Sequence, residues 1–235
     1  MRLCVFDFDS TLMDGETIDF IAEEANPEYL SLDLLRTMFS EENEEEIQAL
    51  YHARDIGRII TKITDAAMNG KIDFFRSLSW RVSLLKGVDR NRAVEICRSL
   101  PWMPGARETV AKLKEKGMTV VCFSGGFRWA TDYGQEMLGY DASFANVLHV
   151  WEGKLTGLVG GDMMFDHSKG DLLKRLQKVT GISQEETMVV GDGANDRSMF
   201  REAGLKVAFC GKEVLKKEAD VCVETKDLRE VLKAL

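Results

Sequence analysis

Long apolar runs are absent from this chain of 235 residues. No stretch approaches the roughly 18–20 apolar residues that a helix needs to cross a bilayer. The apolar run at residues 3–6 ends at Asp7 and is too short for the core of a signal peptide. We therefore expect a cytoplasmic protein that has no membrane partner.

Paired cysteines are absent as well. The chain has five cysteines, an odd number at wide spacing, and no Cys-x-x-Cys pair. Four of them lie in or beside apolar, β-like runs, a setting typical of free cysteine in protein cores. We therefore predict reduced and buried thiols and expect no disulfides.

Positive charge is scarce relative to negative charge. The sequence has 31 Lys and Arg against 39 Asp and Glu, for a net charge of −8. A nucleic-acid partner usually requires a basic footprint, so we expect none. A phosphate ester would meet a repulsive overall field, and its binding would depend on a local cation.

Short β-branched runs alternate with longer helical patterns, and this alternation predicts a parallel sheet flanked by helices. The runs are apolar at consecutive positions, as in strands that are covered on both faces. They lie at residues 3–8, 119–123, 187–190, 205–209 and 220–223. The helical patterns, each followed by a glycine, lie at residues 107–116, 129–138, 169–180 and 196–203.

Two regions interrupt the alternation. Residues 146–163 have the pattern of a hairpin around Glu152-Gly153. Residues 15–103 contain no clear strand, and helical periodicity within them indicates an inserted helical domain. We therefore predict an α/β fold, a doubly wound parallel sheet (residues 1–14 and 104–235) that carries a helical cap (residues 15–103).

Carboxylates stand at the ends of two predicted strands. Asp7 and Asp9 end the first, and Asp192 and Asp196 follow the strand at residues 187–190. Open α/β sheets place their sites at the carboxyl ends of strands, and clustered carboxylates suit Mg²⁺. Ordinary turn aspartates are the alternative reading of Asp7 and Asp9. A dinucleotide loop at Gly191-Asp192-Gly193 is unsuitable because a third glycine is missing and Asp192 would repel a pyrophosphate.

Two further features suit an anionic ligand. Ser124 is followed by Gly125 and Gly126, whose backbone N–H groups we expect to be free to approach phosphoryl oxygens. Lys169 begins a predicted helix, where the helix dipole disfavours a cation unless the cation faces an anion. A simple strand-to-helix turn and a chance lysine remain the alternatives for each feature by itself.

Taken in order, these pieces resemble the signature of the haloacid dehalogenase superfamily: Asp-x-Asp-x-Thr, then Ser, then Lys, then Gly-Asp-x-x-x-Asp. Within it the chain is most similar to the phosphoserine phosphatase family. The likeness covers residues 1–26 and 61–235. The segments that carry it are residues 6–12, 16–19, 81–85, 124–127, 144–146, 169–170 and 191–196.

The resemblance implies roles for the core residues. Asp7 would be the nucleophile and Asp9 the general acid and base. Mg²⁺ would be bound by Asp7, Asp192 and the main-chain carbonyl of Asp9, with Asp196 in support. The residues implied to hold the phosphoryl group or to line its site are Ser124, Gly125, Lys169 and Asn195.

The resemblance also implies a substrate. O-phosphoserine would be hydrolysed to serine and phosphate, the last step of serine biosynthesis. Glu16 and Arg81 match positions that bind the amino acid, and Met68 and Phe74 match apolar residues that line the site nearby. Two alternatives stay open. One is hydrolysis or phosphoryl transfer on another small phosphomonoester, and the other is a phospho-accepting signalling module with the same type of sheet.

Residues 27–60 depart from the pattern of the family. This segment carries Leu30, Leu32, Leu34, Leu35, Met38 and Phe39. So many apolar side chains must pack on the cap, on a second chain or over the mouth of the site. We expect a self-association surface, and hence a homodimer, or an extended lid.

Overall fold

The computed structural model describes residues 1–68 and 71–235. The described chain forms two compact units. The first comprises Met1–Thr17, Arg98–Asn146 and Gly161–Leu235, and the second comprises Ile18–Cys97 and Val147–Gly160. The outer half of the hairpin thus groups with the inserted helices, which the sequence pattern did not indicate.

The described strands form one seven-stranded sheet in the order β4-β3-β2-β1-β5-β6-β7. Parallel pairing joins β1 to β2 and β5, β2 to β3, β5 to β6, and β6 to β7. The strands are β1 (Leu3–Phe6), β2 (Thr119–Phe127), β3 (Ala142–Trp151), β4 (Lys154–Gly161), β5 (Thr187–Gly191), β6 (Leu205–Phe209) and β7 (Val221–Val223). The predicted α/β fold is confirmed.

The helices of the first unit begin with α7, since α1 to α6 belong wholly or mainly to the second. The helices are α1 (Thr17–Ala22), α2 (Leu32–Met38), α3 (Glu44–Ala53), α4 (Ile56–Met68), α5 (Phe74–Ser83), α6 (Arg90–Cys97), α7 (Ala106–Glu115), α8 (Arg128–Leu138), α9 (Ser168–Thr180), α10 (Arg197–Phe200) and α11 (Glu213–Lys216). Short 3-10 helices span Pro27–Tyr29, Ala194–Asp196 and Leu228–Ala234.

The observed strands and helices differ from the predicted bounds where a polar site begins. The chain leaves β1 after Phe6, two residues before the predicted end, because Asp7 and Phe8 already belong to the polar loop. β2 instead continues to Phe127. The predicted helix at residues 196–203 is shorter, since Ala194–Asp196 is a 3-10 turn and α10 ends at Phe200.

The centre of the sheet is the core of the first unit. β1 lies in the middle of the strand order, and all four of its residues are buried. β5 beside it is buried along its whole length. Strands covered on both faces read as continuous apolar runs, which is why these two were recognisable from sequence. Their parallel pairing brings their carboxyl ends to one edge of the sheet.

The apolar residues of the 27–60 segment pack mainly within the second unit. Leu35 is fully buried on α2, and Leu30, Met38 and Phe39 are also buried, whereas Leu32 and Leu34 are half-buried. Packing on the cap, one of three destinations that the sequence left open, thus accounts for four of these six side chains. Self-association and a lid function of this segment stay predictions.

The hairpin at β3 and β4 is confirmed. Its two-residue turn is Glu152-Gly153, and both residues have left-handed φ angles, 49° and 75°. A type I′ turn needs that conformation at both positions.

The cysteine prediction is partly wrong. None of the five cysteines forms a disulfide, but Cys210 and Cys222 are exposed while Cys4, Cys97 and Cys122 are buried. Cys222 lies on β7, which ends the strand order and therefore lacks cover on one side. Cys210 follows the end of β6.

No helix among residues 1–68 and 71–235 has the length and apolar character to span a bilayer.

Candidate active site

Asp7 stands where β1 gives way to the loop that follows. Its backbone N–H donates to the carbonyl of Val190 at 2.9 Å, so the pairing with β5 extends one residue past the strand. The residue is only 3% exposed. Oδ1 accepts the backbone N–H of Phe8 at 2.7 Å, while Oδ2 lies 3.5 Å from Nδ2 of Asn195. The backbone therefore fixes both the position and the orientation of this carboxylate.

Lys169 lies between two of the predicted site carboxylates. Its Nζ is 2.7 Å from Oδ1 of Asp7 and 2.5 Å from Oδ1 of Asp196, and all three side chains are almost fully buried. Burial opposes the charge on Lys169, but Asp196 and then Asp7 outweigh it and raise the pKa of Lys169 above its ordinary value. The lysine stays protonated and faces anions at the start of α9, as the sequence indicated.

Both oxygens of Asp196 are in use. Oδ1 accepts from Lys169, and Oδ2 accepts the backbone N–H groups of Asp192 and Gly193, each at 3.0 Å. A Cβ on Gly191 would lie 2.3 Å from Oδ2 of Asp196, so only glycine allows this approach. Asp196 therefore fixes both Lys169 and the loop that carries Asp192.

The cluster carries more negative charge than its lysine can balance. Burial, followed by Asp196, raises the pKa of Asp7 above its ordinary value in spite of Lys169. Burial, again followed by Asp196, raises the pKa of Asp192 to about 7, although Lys212 and Lys169 act in the opposite direction. Neighbouring carboxylates in a buried site ionise together only when a cation is close.

A divalent cation fits this group. Asp7, Asp192 and Asp196 each offer a carboxylate oxygen, and these oxygens lie within 4.8 Å of one another. Hard oxygen ligands of this kind suit Mg²⁺. The excess negative charge of the cluster supports the same reading, because an added cation would remove it.

Asp9 is held by the start of α1. Its Oδ1 accepts from the backbone N–H of Thr17 at 2.8 Å and from the Thr17 hydroxyl at 2.5 Å. A Cβ on Gly126 would lie 2.6 Å from Oδ2 of Asp9. Asp9 is thus fixed at one oxygen and brought against the Ser124–Gly126 turn at the other. Thr17 was not predicted, although it stands in the matched segment at residues 16–19.

The turn at the end of β2 is braced from two sides. Gly126 donates its backbone N–H to Oγ of Ser124 at 2.9 Å, so this N–H is not free, contrary to our expectation. Asn146 donates from Nδ2 to the carbonyls of Gly125 and Met163, each at 3.0 Å. Asn146 is a supporting residue that we did not predict, since its partners Gly125 and Met163 lie on two other stretches of chain.

The residues predicted to bind the amino acid belong to both units. In the first, Glu16 accepts the hydroxyl of Ser10 at 2.9 Å. In the second, Phe74 and Arg81 lie at the two ends of α5, and Arg81 donates from Nε to the carbonyl of Ser77 at 3.3 Å. Met68 ends α4, and its side chain lies outside the described residues.

Asp19 is an unpredicted neighbour of Arg81. Burial raises the pKa of Asp19, and the positive charge of Arg81 opposes that rise. The guanidinium of Arg81 therefore acts on a carboxylate of its own unit. No residue spacing in the sequence singled out this pair, because Asp19 lies on α1 and Arg81 on α5.

Comparisons with known proteins agree with this geometry. The family model of haloacid dehalogenase-like hydrolases matches residues 1–204. The phosphoserine phosphatase of Wolinella succinogenes is 47% identical over 232 residues, 99% of this chain and 98% of that protein. The phosphoserine phosphatase of Methanocaldococcus jannaschii is 44% identical over 232 residues, 99% of this chain and 96% of that protein.

Solved structures give the same result. A phospho-aspartyl intermediate analogue of phosphoserine phosphatase superimposes with a TM-score of 0.82 and 42% identity, covering 100% of this chain and 98% of that one. A substrate-bound phosphoserine phosphatase complex matches with the same TM-score, identity and coverage. The chain belongs to the haloacid dehalogenase-like hydrolases, and among them to the family of the phosphoserine phosphatases.

Proposed function

We propose that this protein is a Mg²⁺-dependent phosphoserine phosphatase that hydrolyses O-phosphoserine to serine and phosphate. The observation that carries the proposal is the buried Asp7–Lys169–Asp196 arrangement at the strand ends, with Asp192 beside it. The full-length similarity to phosphoserine phosphatases supports the choice of substrate.

Asp7 is the nucleophile in this proposal. Of its two oxygens, Oδ1 already accepts from Lys169 and Phe8, whereas Oδ2 has only the 3.5 Å contact with Asn195 among the described contacts. A carboxylate oxygen of Asp7 attacks phosphorus in line, and the bond from phosphorus to the serine oxygen breaks. The product of this step is an aspartyl phosphate, which divides one slow displacement into two faster ones.

Asp9 moves the protons. Thr17 holds one carboxylate oxygen, and the other lies against the Ser124–Gly126 turn. Asp9 gives its proton to the departing serine oxygen. It then takes a proton from the water that attacks the aspartyl phosphate, which releases phosphate and restores Asp7. A residue fixed at one oxygen can serve in both steps without changing position.

Charge neutralisation is shared between side chains and a metal ion. Asp7, Asp192 and the main-chain carbonyl of Asp9 would bind Mg²⁺, with Asp196 fixing the loop that carries Asp192. When bound, the ion would offset the repulsion between a carboxylate nucleophile and a phosphate dianion. Lys169 supplies a fixed positive charge for the phosphoryl oxygens, and the Ser124–Gly125 turn supplies hydrogen-bond donors for them.

Recognition of the amino acid is assigned to Glu16, in the first unit, and to Arg81, in the second. Phosphoserine offers a carboxylate and an ammonium group in addition to its phosphate. Arg81 suits the carboxylate because its planar guanidinium can donate two parallel hydrogen bonds, and Glu16 suits the ammonium group. The roles are therefore divided. The strand-end residues act on the phosphate, whereas Arg81 on α5 and Glu16, just before α1, bind the rest of the substrate.

Two alternatives have distinct chemical signatures. A phosphatase or phosphotransferase for another small phosphomonoester would use the same core without the cap selectivity. A signalling module would need a long-lived aspartyl phosphate, and Asp9 beside Asp7 favours turnover instead.

For cellular context we propose a cytoplasmic enzyme that completes serine biosynthesis. Self-association through Leu32 and Leu34 is also proposed, and sedimentation of a variant with serine at both positions tests it.

A substrate panel tests the proposed function. Phosphate release is measured with O-phosphoserine, O-phosphothreonine, glycerol phosphate and an aryl phosphate, each with and without Mg²⁺. We expect the highest kcat/KM for O-phosphoserine and no turnover after chelation of the metal. Equal rates on all four esters would contradict the substrate, and serine appearing without equimolar phosphate would indicate transfer to another acceptor.

A further inference from the structure

Phe8 stands between Asp7 and Asp9, and its backbone organises the loop at residues 7–14, which we call the nucleophile loop. The N–H of Phe8 donates to Oδ1 of Asp7 at 2.7 Å. Its carbonyl oxygen accepts three backbone N–H groups from the far side of the loop, at 2.9 to 3.2 Å. The donors are Thr11, Leu12 and Met13. A shift of Phe8 would therefore move the Asp7 carboxylate and the turn that carries Asp9 together.

The ring of Phe8 is enclosed by the fold. Phe8 is fully buried. On α8, a Cβ at Gly134 would lie 2.8 Å from Cε2 of Phe8 and 2.7 Å from the hydroxyl oxygen of Tyr140. Tyr140 is itself buried, and its hydroxyl donates to the backbone carbonyl of Thr131. The helix therefore approaches the Phe8 ring as closely as a glycine allows.

Trp102 provides a second contact to this ring. The two ring centroids are 6.2 Å apart and the planes lie at 86°, an edge-to-face arrangement that aromatic pairs favour. The indole also lies 5.9 Å from the ring of Tyr133 on α8, at 34°. Trp102 is half-buried. Its ring is thus held by one aromatic neighbour while it packs against another, Phe8.

The backbone at Trp102 is joined to the far end of the nucleophile loop. Met13 and Trp102 form an antiparallel bridge. On either side of the bridge, the N–H of residue 103 donates to the carbonyl of residue 12 at 3.0 Å, and the N–H of residue 14 donates to the carbonyl of residue 101 at 2.9 Å. Trp102 therefore contacts the loop near both ends, through its ring at Phe8 and through its backbone at Met13.

We propose that Trp102 is a positioning residue for the nucleophile loop. Its ring keeps Phe8 where the Asp7 carboxylate is oriented for attack, and it takes no part in bond making or breaking. The inference rests on the proposed function for the roles of Asp7 and Asp9. Trp102 lies outside the segments that carry the family resemblance, and the fold brings it to Phe8 through the pairing of residues 12–14 with residues 101–103.

Kinetics of Trp102→Ala and Trp102→Phe test the role of the ring. kcat and KM are measured with O-phosphoserine and with p-nitrophenyl phosphate. Gly134→Ala is a second, independent variant, because its added Cβ presses on Phe8 from α8. Leu113→Ala is the control for lost stability, since it truncates a fully buried side chain of α7. Thermal unfolding is recorded for every variant.

We expect Trp102→Ala to lower kcat by roughly 10- to 100-fold on both esters, because a reacting group displaced by about 1 Å loses that order of rate. KM should stay within about 3-fold, since Lys169 and Ser124 hold the phosphoryl oxygens from other strands. Trp102→Phe, which keeps an aromatic edge, should stay within about 3-fold of the wild-type kcat. Gly134→Ala should lower kcat, whereas Leu113→Ala should lower Tm and keep kcat.

Hydrogen exchange gives a readout that does not depend on turnover. The N–H groups of residues 11–13 donate to the Phe8 carbonyl, so their exchange reports on the nucleophile loop. Exchange in β5, which is buried along its length, is the reference for global opening. We expect exchange at residues 11–13 to rise by about 10-fold or more relative to β5 in Trp102→Ala. In Leu113→Ala the ratio should equal that of the wild type.

Three results would overturn the inference. They are an unchanged kcat in Trp102→Ala, an equal loss of kcat in Leu113→Ala, and an unchanged exchange ratio at residues 11–13 in Trp102→Ala. If Trp102→Ala does not fold, Gly134→Ala is judged by the same three results. The proposed function fails separately: a wild type that does not hydrolyse phosphoserine would refute it, while exchange and p-nitrophenyl phosphate kinetics would still decide the role of Trp102.

Discussion

Nζ of Lys169 lies 2.7 Å from Oδ1 of Asp7, and the two side chains are almost completely buried. The same nitrogen lies 2.5 Å from Oδ1 of Asp196, so one ammonium group bridges the ends of β1 and β5. A buried carboxylate pair of this kind would be unstable without the cation between them. The lysine therefore stabilises the fold at these strand ends, and in the proposed function it also faces the phosphoryl group.

Asp7→Asn should lower kcat by at least about 10³-fold with the fold intact, because the amide keeps the shape of the side chain but is no nucleophile. Steady-state kinetics and thermal unfolding measure the two effects. Asp171→Asn, at an exposed aspartate of α9, is the control and should keep full activity. Near-normal turnover in Asp7→Asn protein that is free of deamidation would exclude the nucleophile assignment.

Lys169→Met should lower the free energy of unfolding of the metal-free protein by about 3–5 kcal/mol, because it leaves Asp7 and Asp196 without a buried counterion. Urea titration measures this. The loss should be smaller at pH 5 than at pH 8. A carboxyl group whose pKa is raised by folding contributes stability at low pH and loses it as the pH rises through that pKa.

Mg²⁺ should restore part of the stability of Lys169→Met, since binding to the folded state alone stabilises it. Lys174→Met provides the control on the same helix, where the lysine is exposed and paired with Glu202 at 3.1 Å. A loss in Lys174→Met equal to that in Lys169→Met would show that helix α9, and not the buried ion pair, determines the effect.

Arg81→Ala and Glu16→Gln should each lower kcat/KM for O-phosphoserine by roughly 30- to several-thousand-fold, the range expected when a desolvated charge loses its partner. A simple aryl phosphate, which carries neither the carboxylate nor the ammonium group, should be hydrolysed almost as before. Arg76→Ala removes an exposed arginine of α5 and is the matched control. Equal losses on both substrates would assign these residues to the fold or to the chemical step.

Gly126→Ala should lower kcat by about 10-fold or more, because the added Cβ would lie 2.6 Å from Oδ2 of Asp9 and 3.1 Å from Oγ of Ser124. Global stability should change little, which denaturant titration checks. Gly160→Ala is the control, since a Cβ there meets nothing within 4 Å. A kcat within twofold of the wild type would mean that Asp9 can move without loss of function.

Leu35→Ala should destabilise the protein by about 2–5 kcal/mol, as expected when a fully buried leucine is truncated. Leu34→Ala, at the half-buried neighbour on α2, should have a much smaller effect. Thermal and urea unfolding provide the comparison. Equal effects at the two positions would mean that the 27–60 segment does not pack in the cap as described.

The strand ends that carry the site carboxylates could be predicted from the sequence, because these buried parallel strands appear in it as apolar runs that end on carboxylates. Asp7, Asp192 and Asp196 each follow such a run, and their side chains do come together. The helical insertion was visible from its periodicity in the same way. These features depend on residues close in sequence.

The supporting contacts could not be predicted, because the fold, and not a local sequence pattern, brings their partners together. Asn146 holds the Ser124–Gly126 turn from β3, and the hydroxyl of Thr17 reaches Asp9 across a loop. The backbone N–H of Lys212 reaches the carbonyl of Asp192 only through the order of the strands. Likewise the exposure of Cys222 depends on β7 being an edge strand, which composition does not reveal.

Chemical trapping of the intermediate tests the central claim most directly. The enzyme is mixed with O-phosphoserine and Mg²⁺, quenched in acid during turnover and reduced with borohydride, which converts an aspartyl phosphate to homoserine. Peptide sequencing by mass spectrometry then locates the change. We predict homoserine at position 7, dependent on phosphoserine and absent from Asp7→Asn. Phosphate release without modification at Asp7, or homoserine at another aspartate, would contradict the account.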